Sequence, residues 1–289
     1  MPGRDDWFSF EGFQFGGASS DVIVEVFDPG EGGVRTQDTP RPGASGKMMG
    51  RDYPSAPSWT FELATNLHDI NAALSSVANM GALWRSPRWS IPGERGWLRY
   101  SLGSHSRRVI GRPRRFTPPN GDVKSQQGVA RFMCDFQLSD PRTFSDAEHS
   151  TTLDLVPEST GGIIFPLAFP MTTTITGGVR SGFVTNAGDA PAPVTVTFHG
   201  PVANPRVFTP AWEVGIRGSL AYDESVTVDA LAMTVKRQDG ANVGGRLTRK
   251  TRLRGAALAP GQQEVKFTGG DSTGTARAVV SWRDAYWSV

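Results

Sequence analysis

Four histidines, one cysteine and two arginine clusters are the residues of this 289-residue chain best suited by type to chemistry. A helical zinc site or a proton-relay pair needs its imidazoles one turn apart or otherwise convergent. His68 falls at a helix start, His105 and His149 in polar loops, and His199 on the polar face of an alternating strand, so no pair is spaced for either task. Gly43 to Lys47 (Gly-Ala-Ser-Gly-Lys) resembles half of a phosphate loop. Arg41 stands where the first glycine belongs, however, and Met48 replaces the hydroxyl that would hold Mg²⁺. No calcium loop or dinucleotide-binding turn occurs. Asp223 and Glu224 are adjacent acids in a turn-like Tyr-Asp-Glu-Ser context, the ordinary setting of solvated carboxylates. Cys134 alternates with Phe132 and Phe136, the spacing of a small buried thiol, and as the lone cysteine it forms no internal disulfide. The expectation is a chain with no catalytic residue, no metal and no cofactor.

The arginines carry a different chemistry, bidentate pairing with carboxylate or phosphate. One cluster is Arg107, Arg108, Arg112, Arg114 and Arg115; the other is Arg246, Arg249, Lys250, Arg252 and Arg254. Acidic patches on neighbouring protein, passing DNA and solvent are the three partners open to them. A formal net charge of only +2 weighs against a sequence-independent grip on DNA. Charge is uneven along the chain: Arg4 to Glu31 holds seven carboxylates and one arginine, whereas Arg85 to Arg115 holds nine arginines and one glutamate. The two blocks either neutralise each other within the fold or meet head to tail between copies, a contact that closes into a ring if the rotation permits. Under the second reading the inter-subunit residues are Asp5, Asp6 and Glu11 against Arg107, Arg108, Arg112, Arg114 and Arg115.

The elements that must position these groups are mostly strands. The length suits two cores, and 34 glycines, 21 prolines and aromatics spread from Trp7 to Trp287 describe a turn-rich, folded β protein. The acidic N-terminus lacks the layout of a secretory signal, and the longest apolar run, Gly161 to Pro170, is broken by Pro166, so no membrane span is expected. Alternation predicts strands at Trp7 to Glu11, Asp21 to Asp28, Ser58 to Ala64 and Gly128 to Leu138. Gly30 to Pro57 is rich in Gly, Pro and Arg and reads as an extended arm. One helix is predicted over 67–80, capped by Asn66 with Asp69 three residues on, presenting Ile70, Leu74, Val77 and Ala78 and stopped by Gly81. A hairpin with basic tips follows between Trp84 and Phe116. The expected domains are 1–155, a β domain with this helix and arm, and 156–289, a β-sandwich of short strands such as Ser225 to Asp229 and Ala276 to Trp282.

The most legible unit is Gly182 to Val207. Asn186, Gly188 and Asp189 suit backbone turns with positive φ, and Pro191 and Pro193 precede an edge-type strand in which Val194, Val196 and Phe198 oppose Thr195, Thr197 and His199. Gly200-Pro201 and Asn204-Pro205 end that strand. This wording resembles the C-terminal domain of the distal tail proteins of long-tailed phages, often labelled minor tail proteins. Asp38 to Gly46, with Gly50-Arg51-Asp52, is similar to an Asp-x-x-Arg-Pro-Gly…Gly-Arg-Asp pattern of actinobacteriophage minor tail proteins. The resemblance implies a galectin-like jelly-roll sandwich at the C-terminus and a ring-forming N-terminal domain at the distal end of the virion tail, not an enzyme. It implies self-association, as a hexamer, and partners in the tail tube protein, the tape measure protein and the central tail-tip or baseplate hub, with DNA passing the lumen without specific binding and no membrane contact. The other readings are a tail adhesin recognising cell-wall glycan, for which Trp212 in a loop after Thr209-Pro210 is the contact residue, and a tail-associated hydrolase.

Overall fold

The computed structural model describes residues 6–17, 19–67, 69–120, 128–155, 180–271 and 273–288. The chain is mainly antiparallel β with one α-helix among the described residues, and it divides into two compact units, 1–146 with 286–289, and 147–285.

In the first unit the strands are β1 (Trp7–Phe10), β2 (Phe13–Gly16), β3 (Val22–Asp28), β4 (Val34–Arg35), β5 (Thr39–Pro40), β6 (Lys47–Met48), β7 (Tyr53–Pro54), β8 (Ser58–Thr65), β9 (Gly96–Leu102), β10 (His105–Thr117), β11 (Arg131–Leu138) and β12 (Thr143–Ser145). The main sheet runs β2-β1-β9-β10-β11-β8-β3, with β12 on the side of β10. Tight turns set its registers: Glu11 and Gly12 both take positive φ between β1 and β2, the conformation that matches strand twist in a two-residue hairpin. Alternation then sends Phe8, Phe10, Trp59, Phe61, Tyr100 and Phe136 into one core. The rings meet edge to face, as between Phe8 and Phe61 with centroids 5.0 Å apart.

The helix, α1 (Ile70–Trp84), begins and ends later than its sequence pattern implies. Asp69, not Asn66, caps it, accepting from the Ala72 N–H at 3.0 Å. Gly81 does not stop it: a Cβ there would lie 3.3 Å from the Phe116 ring, so this glycine lets the helix approach β10 closely and the helix continues for another turn. Its inward stripe is Ala73, Val77, Met80, Gly81 and Trp84, while Leu74 and Ala78 face outward. Position 68 lies outside the described residues.

The arm between β3 and β8 is a pair of two-stranded ribbons, β4 with β7 and β5 with β6, exposed along nearly all of its length. β9 and β10 form the expected hairpin, but its arginines sit along the strands and not at the tip, which is Gly103 and Ser104.

In the second unit the strands are β13 (His149–Asp154), β14 (Arg180–Asn186), β15 (Ala192–His199), β16 (Val202–Phe208), β17 (Glu213–Gly215), β18 (Ser219–Leu220), β19 (Ser225–Asp229), β20 (Thr234–Arg237), β21 (Ala257–Leu258), β22 (Gly261–Gly270) and β23 (Arg277–Trp282), followed by β24 (Ala285–Tyr286). One sheet runs β13-β23-β15-β19-β20 with β21 beside β15, the other β14-β22-β16-β17 with β18 beside β16. Phe198 of the first packs on Phe267 of the second at 6.1 Å between centroids, within a core of inward valines such as Val194, Val196, Val207 and Val280. The second unit begins at Ala147, and its first strand, β13, pairs with β23 from His149 to Asp154. β15 is central and not an edge strand: β19 and β23 pair its two sides from Val194 or Thr195 onward. Pro191 and Pro193 are tolerated because they precede that two-sided pairing.

Candidate assembly surfaces

The acidic and basic blocks are brought together within the chain, by sheet order. β1 pairs β9, with Trp7 opposite Ser101, so the acidic N-terminal strand is the direct neighbour of the arginine-bearing hairpin. Asp6 accepts from the Gly103 N–H at 2.7 Å, and Glu11 pairs with Arg88 at 3.3 Å. Asp5 lies outside the described residues. Arg107 donates to the Ser288 carbonyl at 2.9 Å and stacks on Tyr286 at 3.9 Å from the ring centroid. Arg108 and Arg99 converge on Asp146, each Nε at 3.0 Å from Oδ1. Arg112 donates to the Trp89 carbonyl at 3.1 Å, and Arg115 pairs with Asp135 at 3.0 Å. Arg114 alone of the five is exposed without a recorded partner among the described residues. Most of these groups therefore have a partner within one copy: Arg88 for Glu11, Asp146 for Arg108, the Trp89 carbonyl for Arg112 and Asp135 for Arg115.

Asp146 is the hub of this network. Burial acts to raise its carboxyl, but hydrogen bonds and charge from Arg99 and Arg108 more than offset it and hold the group below the ordinary carboxylate range. A carboxyl lowered in the folded state stabilises fully above its unfolded value and loses that contribution as pH falls through the folded value. Acidification below about pH 4 is therefore expected to lower the unfolding midpoint more in the parent chain than in Asp146→Asn. Equal acid sensitivity in urea titrations of the two would remove Asp146 from this role.

The arm motif has a physical reading. The Asp38 carboxylate accepts from the Gly50 N–H at 3.0 Å, closing the ribbon across twelve residues. Any Cβ on Gly50 would fall 2.1 Å from the Gln37 carbonyl, so the position takes only glycine. Arg51 and Arg35 each lie 5.4 Å from the Tyr53 ring centroid. The ribbon is thus built from its own residues while Val34, Met48 and Met49 remain exposed.

The turn residues of the C-terminal unit act differently from their sequence reading. Asn186, Gly188 and Asp189 do not adopt positive φ; within this stretch Asn204 does, at 49°. Asn186 is 1% exposed and its amide donates to the Ala190 and Leu258 carbonyls. A Cβ on Gly188 would sit 1.8 Å from the Ala285 carbonyl, and one on Gly200 1.9 Å from that of Ala221. Both glycines mark close backbone approach. Asn204 and Pro205 do not end a strand: they form a bulge within β16, where Asn204 Oδ1 accepts from the Gly218 N–H at 2.9 Å and the Pro205 carbonyl accepts from Ile216. Asp189 is exposed.

Trp212 is 7% exposed, a buried wall and not an open stacking platform. Cys134 is buried, and burial first, then the Asp135 charge, pushes its thiol well above the usual range. His199 is half-buried, and desolvation followed by nearby Arg277 lowers its pKa. His149 contacts Asp284 at 3.3 Å and stacks on Trp282. Among the described residues no three His, Cys, Asp or Glu side chains converge to hold a metal, and no helix is long and apolar enough to cross a membrane.

No protein-family model matches the sequence, and no curated protein matches it in sequence. Solved structures do match in fold. The SPP1 Dit (gp 19.1) protein, described as a paradigm of the hub adsorption apparatus in phages infecting Gram-positive bacteria, aligns with a TM-score of 0.59 at 10% identity, covering 97% of this chain and 98% of that one. Chains of the phage P2 baseplate in its activated conformation, with Ca and with Sr, align at TM-scores of 0.55 and 0.54, each 10% identical over 96% of this chain and 97% of that chain. The mainly β, two-unit chain described above is therefore similar in fold, from end to end, to phage Dit and baseplate proteins.

Proposed function

We propose that this chain is a structural component of a phage tail tip: a distal tail protein whose copies form a ring, six to a turn, joining the tail tube to the tip hub and leaving a lumen for the tape measure protein and DNA. The observation that carries this reading is the nearly complete, two-way coverage of the fold shared with SPP1 Dit, since no domain of either chain is left over. It agrees with the two motif resemblances in the sequence. The task is mechanical. Rigid sheets held by aromatic cores present fixed faces, and no step requires a reacting group.

Contact between copies is assigned to the arm, with its exposed Met48 and Met49, and to Arg114, the member of the basic hairpin without an internal partner among the described residues. Light scattering of the purified chain with negative-stain averages is expected to give a closed ring. A monomer at every concentration tested would overturn the proposal. Arg114→Glu is expected to shift particles toward monomer while leaving the melting temperature unchanged, because the side chain is exposed. Reversing Arg112 or Arg115 is a poorer test, since each would also break an internal contact.

A further inference from the structure

The second arginine cluster lies beside a depression of about 370 Å³ in the C-terminal unit, within the size range of small-ligand sites. Phe208, Pro210 and Trp212 give it an apolar side, Lys250 and Arg252 a cationic one, and Glu213 a single carboxylate. Both walls are fixed by hydrogen bonds. The Thr209 hydroxyl accepts from the N–H groups of Ala211 and Trp212, each at 3.2 Å, and Thr209 N–H donates to the Trp212 carbonyl at 2.9 Å. On the opposite side the Thr251 hydroxyl accepts from the Gly215 N–H at 2.9 Å, while Thr248 N–H donates to the Gly215 carbonyl at 2.9 Å, holding Lys250 between two anchored threonines. A site assembled this way needs little ordering when a ligand arrives.

The charge there is unbalanced. From Gly240 to Gln263 the chain carries five cations and no carboxylate. Arg246 is committed to the fold, pairing with Glu224 at 2.9 Å and donating to the Ser219 carbonyl at 2.8 Å. Lys250 and Arg252 are exposed and have no recorded ion pair among the described residues. Two cations call for an anionic group, and the apolar side calls for a ring with a non-polar face. Glu213 calls for hydroxyl donors, which a DNA backbone does not offer.

We propose that this depression binds an anionic sugar, a ring bearing a carboxylate or phosphate held by Lys250 and Arg252, with a hydroxyl donated to Glu213 and its apolar face against Phe208 and Pro210. This does not depend on ring formation, so the two readings fail separately.

Isothermal titration of the full chain with trigalacturonate, glucose 6-phosphate, maltotriose and duplex DNA tests it. Saturable binding of trigalacturonate, of glucose 6-phosphate or of both below about 10 mM supports the site and separates a carboxylate from a phosphate source. The double variant Lys250→Ala, Arg252→Ala is expected to weaken that binding about tenfold or more, with an unchanged melting temperature. Glu213→Ala is expected to weaken trigalacturonate several-fold while strengthening any adsorption of DNA by relieving repulsion. The proposal is overturned if neither anionic sugar saturates, if maltotriose binds equally well, if the double variant binds like the parent, or if DNA alone binds and loses affinity in that variant.

Discussion

Trp84→Ala is expected to destabilise the N-terminal unit by about 3–5 kcal/mol, the range for removing a large aromatic from a packed core. Trp84 is 2% exposed at the last turn of α1 and lies against Phe10 at 5.3 Å and Phe136 at 6.3 Å between centroids. Its indole N–H donates to the Asp135 carbonyl in β11 at 3.0 Å. Truncation therefore removes the largest of the side chains that tie the helix to the sheet and opens a cavity that rings fixed by other neighbours cannot fill. Trp84→Phe separates the two contributions: most of the volume returns, the hydrogen bond does not, and about 1–3 kcal/mol remains lost. Urea denaturation followed by near-UV circular dichroism reads both. A loss below about 1 kcal/mol for the alanine variant would show that α1 is held by other contacts, since cavity formation at a buried tryptophan cannot cost so little.

How far such an anchor is visible in the sequence depends on whether its partners are local. The alternation of Val194, Val196 and Phe198 is a property of consecutive residues, and all three are buried as the period demands. The Cys134 reading rests on the same local logic. Helix limits were harder, because Gly81 acts through Phe116, a residue 35 positions away on β10, and its role is spatial rather than conformational. The charge blocks illustrate the same limit more strongly. Their uneven distribution is plain in the sequence, but only the fold decides that Asp6 meets the Gly103 turn between β9 and β10 and that Glu11 meets Arg88. Sheet order is a long-range property that composition does not encode. For the same reason the depression beside Trp212 was invisible: Lys250 reaches it because Thr248 and Thr251 tie their segment to β17, some 35 residues earlier. Trp212 was singled out for its type and loop position, and what the loop conceals is that Thr209 turns the indole inward.

Asn186→Ala is expected to cost the C-terminal unit at least about 3 kcal/mol, more than an ordinary polar truncation, because each buried backbone group left unsatisfied costs about 1–3 kcal/mol. The side chain is fully used. Its amide nitrogen donates to the Ala190 carbonyl at 2.8 Å and the Leu258 carbonyl at 3.1 Å, and its oxygen accepts from the N–H groups of Gly188 at 3.1 Å and Ala285 at 3.3 Å. The ends of β14, β21 and β24 and the turn from Gly188 to Ala190, separated by up to 99 residues, thus converge on one side chain that is 1% exposed. Asn186→Asp keeps the shape and reverses half of the chemistry. Both carbonyls would then face an acceptor, and the buried charge would be opposed by the same oxygens, so the loss at pH 7 should equal or exceed that of alanine. The introduced carboxyl would have a raised pKa in the folded state, so its penalty should ease as pH falls, the reverse of the acid sensitivity expected from Asp146. Urea titrations of the parent and both variants at pH 7 and pH 5 measure this directly. If Asn186→Asp proves no less stable than the parent at pH 7, Asn186 does not organise this unit through its amide, and the close approach at Gly188 must hold the strand ends by itself.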